Sequence, residues 1–160
     1  MDAGYGSTMS SSRKSNVFVE GAITPEFVAD SIRAHSRKTH IGAHDIFLGQ
    51  VRADVIDDKT VQGIEYSAYT PMAEEAFHSI REDAFHTFNL SCLHIHHSVG
   101  FVPTGGISLF VFVSAPHRTD VFKATQWIVE AIKKLVPIWG KEVLSDGTYY
   151  WKSNNPETEV

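Results

Sequence analysis

Cysteine is nearly absent: Cys92 is the single thiol in 160 residues. One thiol excludes an intrachain disulfide framework and fits a reducing compartment. Long hydrophobic runs are missing too, since no stretch approaches the ~20 apolar residues that a membrane-crossing helix requires. The first residues lack a hydrophobic signal core. The expectation is a soluble, cytoplasmic chain without membrane contact. Positive charge is also scarce. With 14 Lys and Arg against 19 Asp and Glu, the formal net charge is −5, and no basic stripe is available to neutralise nucleic-acid phosphates. No nucleic-acid partner is expected. There is no phosphate-cradling glycine loop, no nucleophile elbow, and neither a Cys-x-x-Cys pair nor an H-E-x-x-H run. Neither a metal nor a cofactor is expected.

What is present is apolar material sufficient for one packed domain, with 42% hydrophobic residues. Residues 1–15 are rich in Gly and Ser and contain a second methionine, Met9, so they read as a disordered tail or leader. Residues 153–160 are polar and read as a C-terminal tail. The domain is placed at 16–152. Thr24-Pro25-Glu26 supplies an N-cap, a first-turn proline and an early acid, which opens a helix to about His35 with Phe27, Val28 and Ile32 on its apolar face. Ile41 to Val51 and Val61 to Tyr69 read as strands joined by a polar loop, suggesting a hairpin. Thr70-Pro71 caps a second helix bearing Phe77, Ile80, Ala84 and Phe88 along one side.

Leu93, Ile95, His97 and Val99 alternate with His94, His96 and Ser98, a period-two strand, and Gly100 to Gly106 reads as the following turn. Ile107 to Val113 is apolar almost without interruption, as in a strand covered on both faces. A helix over 119–135 follows. Strands at 141–144 and 148–152 then flank the turn Ser145-Asp146-Gly147. The order αββαββαββ predicts an α+β fold with helices packed on a mainly antiparallel sheet.

Cationic residues bracket the last helix. His117-Arg118 stands where a buried strand gives way to a helix, so it offers either an anion grip at a helix N-terminus or a solvated surface pair. Lys133 shares a helical face with Val129, Gln126 and Phe122, and is either a lysine tuned by desolvation or a partner of the helix dipole. About 25 Å of helix separates the two ends, too far for one compact site within one copy. Arg52, after the Phe47-Leu48-Gly49-Gln50-Val51 strand end, is an anion contact or an exposed strand-terminal arginine. His94 and His96 project from one strand face and offer two imidazoles to zinc, with His44 or Asp45 as remote completions and no third ligand identifiable. Tyr66, Tyr69 and Trp139 read as core or interface aromatics.

Four ordered blocks resemble the large, catalytic subunit family of molybdopterin synthase: Phe47-Leu48-Gly49-Gln50-Val51-Arg52, Glu65 through Glu74, Ser114-Ala115-Pro116-His117-Arg118, and Lys133 through Glu142. The resemblance covers roughly Gly42 to Lys152. It implies an α/β-hammerhead fold and a homodimeric core. It also implies a small ubiquitin-like sulfur-carrier partner on each copy, making a heterotetramer. The partner's Gly-Gly C-terminus carries a thiocarboxylate that supplies sulfur to cyclic pyranopterin monophosphate (precursor Z), and two transfers form the molybdopterin dithiolene. Position by position, Phe47, Arg52, Val129 and Lys133 match the pocket around the incoming tail. His117 and Arg118 match pterin-binding positions contributed by the other subunit, which would resolve the 25 Å span.

Lys133 is the leading catalytic candidate, as an anion stabiliser or a proton shuttle. Gly140 departs from the family pattern Pro-Ile-Trp-Lys-Lys-Glu, where it replaces a lysine. Lys141 substitutes if the glycine backbone rotates it inward, and points away if the strand is regular. Ser98 also departs, standing where relatives often carry Arg. Two other readings are a noncatalytic module that binds the ubiquitin-like partner with impaired turnover, and a metal hydrolase built on His94 and His96.

Overall fold

A computed structural model describes residues 17–152; the tail or leader expected at 1–15 and the tail expected at 153–160 lie outside the described residues. The elements run β1 (Phe18–Glu20), α1 (Pro25–His35), β2 (Ala43–Gln50), β3 (Val55–Ile56), β4 (Lys59–Ala68), α2 (Thr70–Thr87), β5 (Cys92–Pro103), β6 (Ile107–Ala115), α3 (Arg118–Leu135), β7 (Ile138–Leu144) and β8 (Tyr149–Lys152). The sheet order is β2-β6-β5-β4-β7-β8, with β3 on β4 and a parallel β1 on β5. Every other pairing is antiparallel. The expected class is therefore the one observed: three helices on a mostly antiparallel, open sheet.

β6 is the centre of the core because both its faces are covered. From Ser108 to Ala115 every residue is buried. Leu109, Val111 and Val113 pack with Phe77, Ile80, Val121, Ala124 and Ile128 of α2 and α3, while Phe110 and Phe112 turn to the other face with Ile23, Phe27 and Val28 around α1. α1 starts where its sequence says it should. The Thr24 hydroxyl oxygen accepts from the Phe27 amide at 3.1 Å, Pro25 fills the first turn, and an N-terminal donor is thereby satisfied.

Several local expectations are corrected. The strands at β2 and β4 do not form a hairpin: β2 pairs with β6, and β4 lies between β5 and β7. The local hairpin is instead β3 with β4, whose two-residue turn, Asp57-Asp58, has φ of 49° and 62°, the left-handed geometry that Asp tolerates and a tight hairpin prefers. Gly100 does not begin a turn. At φ 78° it lies inside β5, which pairs with β6 through 92–97 and with β4 through 100–103. The turn comes after Pro103, and a side chain on Gly100 would collide with the Glu20 carboxylate. Tyr69, not Thr70, caps α2, and Ile32 is 46% exposed rather than seated on the core. The short strands β1 and β3 were not foreseen.

Candidate functional site

α3 ends in Lys133-Lys134-Leu135, and the chain turns at Val136-Pro137 into β7, which joins β4. That turn folds the helix terminus over the sheet. It leaves a cleft of about 30 Å³ lined by Tyr66, His97, Ile132, Lys133, Val136, Ile138 and Gly140. The residues reach it by strand alternation. Ile138, Gly140 and Glu142 are the buried side of β7, and Leu93, Ile95 and His97 are the core side of β5.

The cleft is electrostatically unusual. Lys133 is an exposed residue, yet partial desolvation by the surrounding cleft, followed by the charge of Lys152, lowers its pKa below the ordinary lysine value; Glu130 opposes this. His97 is 5% exposed, and burial, helped by Lys133, pushes its ring down to about 4. The ring is thus neutral near neutral pH. A carbonyl can only accept, so its Nδ1–H donates to Ser98 O at 2.7 Å, which leaves Nε2 as the unprotonated nitrogen. Tyr66 stands edge-on to that ring at 5.1 Å and donates its hydroxyl to Ser108 Oγ at 3.1 Å. Burial raises the phenol's pKa; the Ser108 bond opposes this and Glu142 adds to it. Tyr66 is a neutral donor.

Lys133 and Gly140 therefore meet, as their adjacency in one sequence block suggested. Lys141 is not brought to them. β7 is regular, so Lys141 faces the opposite side and places its ammonium 4.8 Å from the Tyr149 ring centre. The lysine that does approach is Lys152, paired with Gly140 in register across β7 and β8. A Cβ built on Gly140 would lie 3.8 Å from Lys152 Cβ and a tight 3.1 Å from Ile64 Cγ2. Val129, one turn before Lys133, and Phe47 are half-buried against the α2–α3 core. Arg52 is exposed and bonds Asp54 at 3.0 Å. None of these three lines the cleft. His117 and Arg118 are exposed at the far end of α3, about 22 Å along the axis from Lys133.

Sequence reasoning missed His97, Tyr66 and Lys152 as neighbours of Lys133. The signal for His97 was available: an imidazole in register with Leu93 and Ile95 occupies a core face. Lys152 needed the β7–β8 register. The suspected His94–His96 pair is also rearranged. His96 packs on Phe27 and Phe110, whereas His94 Nε2 meets His35 Nε2 at 3.0 Å, and burial and nearby cations hold His94 at about 4. A larger groove, about 280 Å³, runs between α2 and residues 93–96. Its arginine, Arg81, is engaged with the Leu93 carbonyl, and none of the expected site residues except His94 and His96 of the metal reading line it.

An open, mostly antiparallel sheet under three helices, with Lys133, a buried His97 and a half-buried Tyr66 lining a cleft at a helix end, defines a small α+β protein. The comparisons with known proteins narrow the class. The family model described as MoaE protein matches residues 23–135, and the chain belongs to that family. It is 34% identical over 120 residues to a molybdopterin synthase catalytic subunit of Emericella nidulans, covering 75% of this chain and 61% of that relative. The chain thus spans about three fifths of that relative's length. The structure superposes on molybdopterin synthase from Staphylococcus aureus with TM-score 0.74 and 30% identity, covering 85% of this chain and 95% of that one. A complex of subunits 1 and 2 of molybdopterin-converting factor from Helicobacter pylori shares the fold at TM-score 0.72 and 20% identity, over 85% and 88% of the two chains.

Proposed function

We propose that this chain is the catalytic subunit of a molybdopterin synthase, transferring sulfur from a small partner's C-terminal thiocarboxylate to precursor Z. The observation that carries the reading is the Lys133 ammonium in the cleft between α3 and β7, with its pKa lowered by burial. In this reading the partner's Gly-Gly tail brings only its terminal group to the mouth of the cleft, beside Lys133. The tail's terminal thiocarboxylate is an anion, which a partly desolvated ammonium attracts more strongly than a fully hydrated one. Once the thiocarboxylate sulfur has bonded to a pterin carbon, water adds to the resulting thioester carbonyl. Negative charge grows on the oxygen of the tetrahedral carbon until the C–S bond breaks, leaving sulfur on the pterin and a carboxylate on the partner. Lys133 stabilises that charge and, with its lowered pKa, passes a proton more readily than an ordinary lysine. Sulfur comes from the partner, so Cys92 has no carrier role.

The family lysine missing at Gly140 is replaced in this reading by Lys152, its cross-strand neighbour. A side chain at position 140 would press on Ile64, and the second cation approaches from β8 instead. His117 and Arg118, remote from Lys133 within one copy, complete the pterin site of the other copy in a homodimer, and each copy carries one small subunit. A cytoplasmic setting agrees with the lone thiol.

The test is molybdopterin formation from purified thiocarboxylated partner and precursor Z. Lys133→Ala should abolish turnover, Lys152→Ala should reduce it by about 10-fold or more, and Gly140→Lys should restore the Lys152→Ala variant. Partner binding without product in the unmodified protein would favour a noncatalytic module. Full activity in Lys133→Ala would remove that residue from its role.

A further inference from the structure

On the face of the sheet away from Lys133, the end of α1 meets the beginning of β5. His35 is the last residue of the helix and is buried; Cys92 and His94, two apart on the strand, project to the same side. One ligand-capable atom from each of the three lies within 4.8 Å of the others. His35 Nδ1 lies 2.7 Å from the Ser31 carbonyl. The carbonyl can only accept, so the proton is on Nδ1 and the lone pair is on Nε2, which points at His94 Nε2 at 3.0 Å. Fixing one imidazole nitrogen by a backbone carbonyl while presenting the other is how proteins orient a metal-binding histidine.

We infer that His35, Cys92 and His94 form a zinc-binding site that ties the end of α1 to β5. Two imidazoles and a thiolate suit zinc among the common divalent ions, because carboxylate-preferring magnesium and calcium find no hard oxygen here. A tetrahedral ion with bonds of about 2.0–2.3 Å keeps its ligand atoms about 3.3–3.6 Å apart, so side-chain shifts of about 1 Å close the site. Binding has a definite proton balance: the Cys92 thiol proton leaves, and the His94 proton moves to Nδ1, freeing Nε2. The fourth position belongs to water. Lys38 opposes the ion, since its Nζ donates to Cys92 Sγ at 3.1 Å, and it is exposed and long enough to swing aside. Arg81 and Lys38 both bear on His94, and His44, bonded to Ser114 at 2.7 Å, lies against His35. The site stands apart from the Lys133 cleft and does not depend on the function proposed for it.

Full-length protein, reduced and stripped with chelator, is titrated with cobalt(II) and then zinc(II). One equivalent of cobalt should produce the near-ultraviolet thiolate-to-cobalt charge-transfer band, and zinc should displace it. Cys92→Ser should abolish the band. His94→Asn and His35→Asn should weaken binding by about 100-fold, the upper end for losing even an outer partner of a metal ligand. Lys38→Ala should tighten it, and His86→Asn, on the exposed side of α2, should change nothing. Independently of any variant, one equivalent of zinc should protect Cys92 from a thiol-alkylating reagent. Absence of the band, or a Cys92 alkylation rate unaffected by zinc, overturns the proposal; so does stoichiometric binding that survives in Cys92→Ser and His94→Asn.

Discussion

Replacing His97 with glutamine keeps a side-chain donor for the Ser98 carbonyl but removes a ring that titrates at about 4 in the folded chain and at 6.5 when exposed. Burial is the main cause of that difference, and the Lys133 charge adds to it. Because the folded value is the lower one, the unfolded chain takes up the proton first as pH falls. The stabilisation is complete above about pH 6.5 and is lost toward pH 4. At about 1.4 kcal/mol per pH unit, the linkage removes about 2 kcal/mol between about pH 7 and about pH 5. His94 titrates in the same window, so the informative quantity is the difference between proteins. Urea unfolding of the unmodified chain and of His97→Gln, each at both pH values, measures it. The variant should lose about 2 kcal/mol less on acidification. Lys133→Met should also flatten the slope, though less, because it lifts only the smaller cause. Identical pH dependence in the unmodified protein and His97→Gln would refute the buried, neutral ring and with it the electrostatic account of the cleft.

Phe110→Ala should cost about 3–5 kcal/mol in urea unfolding, since the ring is fully buried between α1 and the sheet. Gly42→Ala should destabilise by about 1–3 kcal/mol or more, because the added carbon would strike the Pro116 carbonyl oxygen, a backbone atom that cannot rotate away; an unchanged unfolding midpoint would contradict the close approach. Co-expressed Arg118→Ala and Lys133→Ala chains should form mixed dimers that recover molybdopterin synthesis, each reassembling one complete site. No recovery from mixed dimers would count against a site shared between copies.

Helices were the most legible part of the chain. α1 and α2 announced themselves through Thr24-Pro25 and Thr70-Pro71, and α3 through the helical pattern over 119–135, because capping and 3.6-residue periodicity are local. The double burial of β6 was equally plain in Leu109 to Val113. Pairing was less so. Nothing near β2 says that its partner is β6, more than fifty residues on, and the hairpin suggested with β4 failed because partner choice is settled by the whole sheet. Gly100 misled for a related reason: a glycine with positive φ serves a turn or a mid-strand change of partner, and only the neighbours decide which.

The same division runs through the functional residues. The sequence by itself determined the fold class, the family blocks, and Lys133 with Gly140 as the place to look, since these depend on residue type and short spacing. Tertiary structure decided which groups share that place. Strand alternation turned Lys141 away, the β7–β8 register brought Lys152 beside Gly140, and the packing of β5 under α3 put a neutral His97 within reach of the Lys133 charge. It also joined His94 to His35 and Cys92 rather than to His96. Burial and the field of distant cations set how a titratable group behaves, and both are properties of the folded neighbourhood that no local stretch of chain contains.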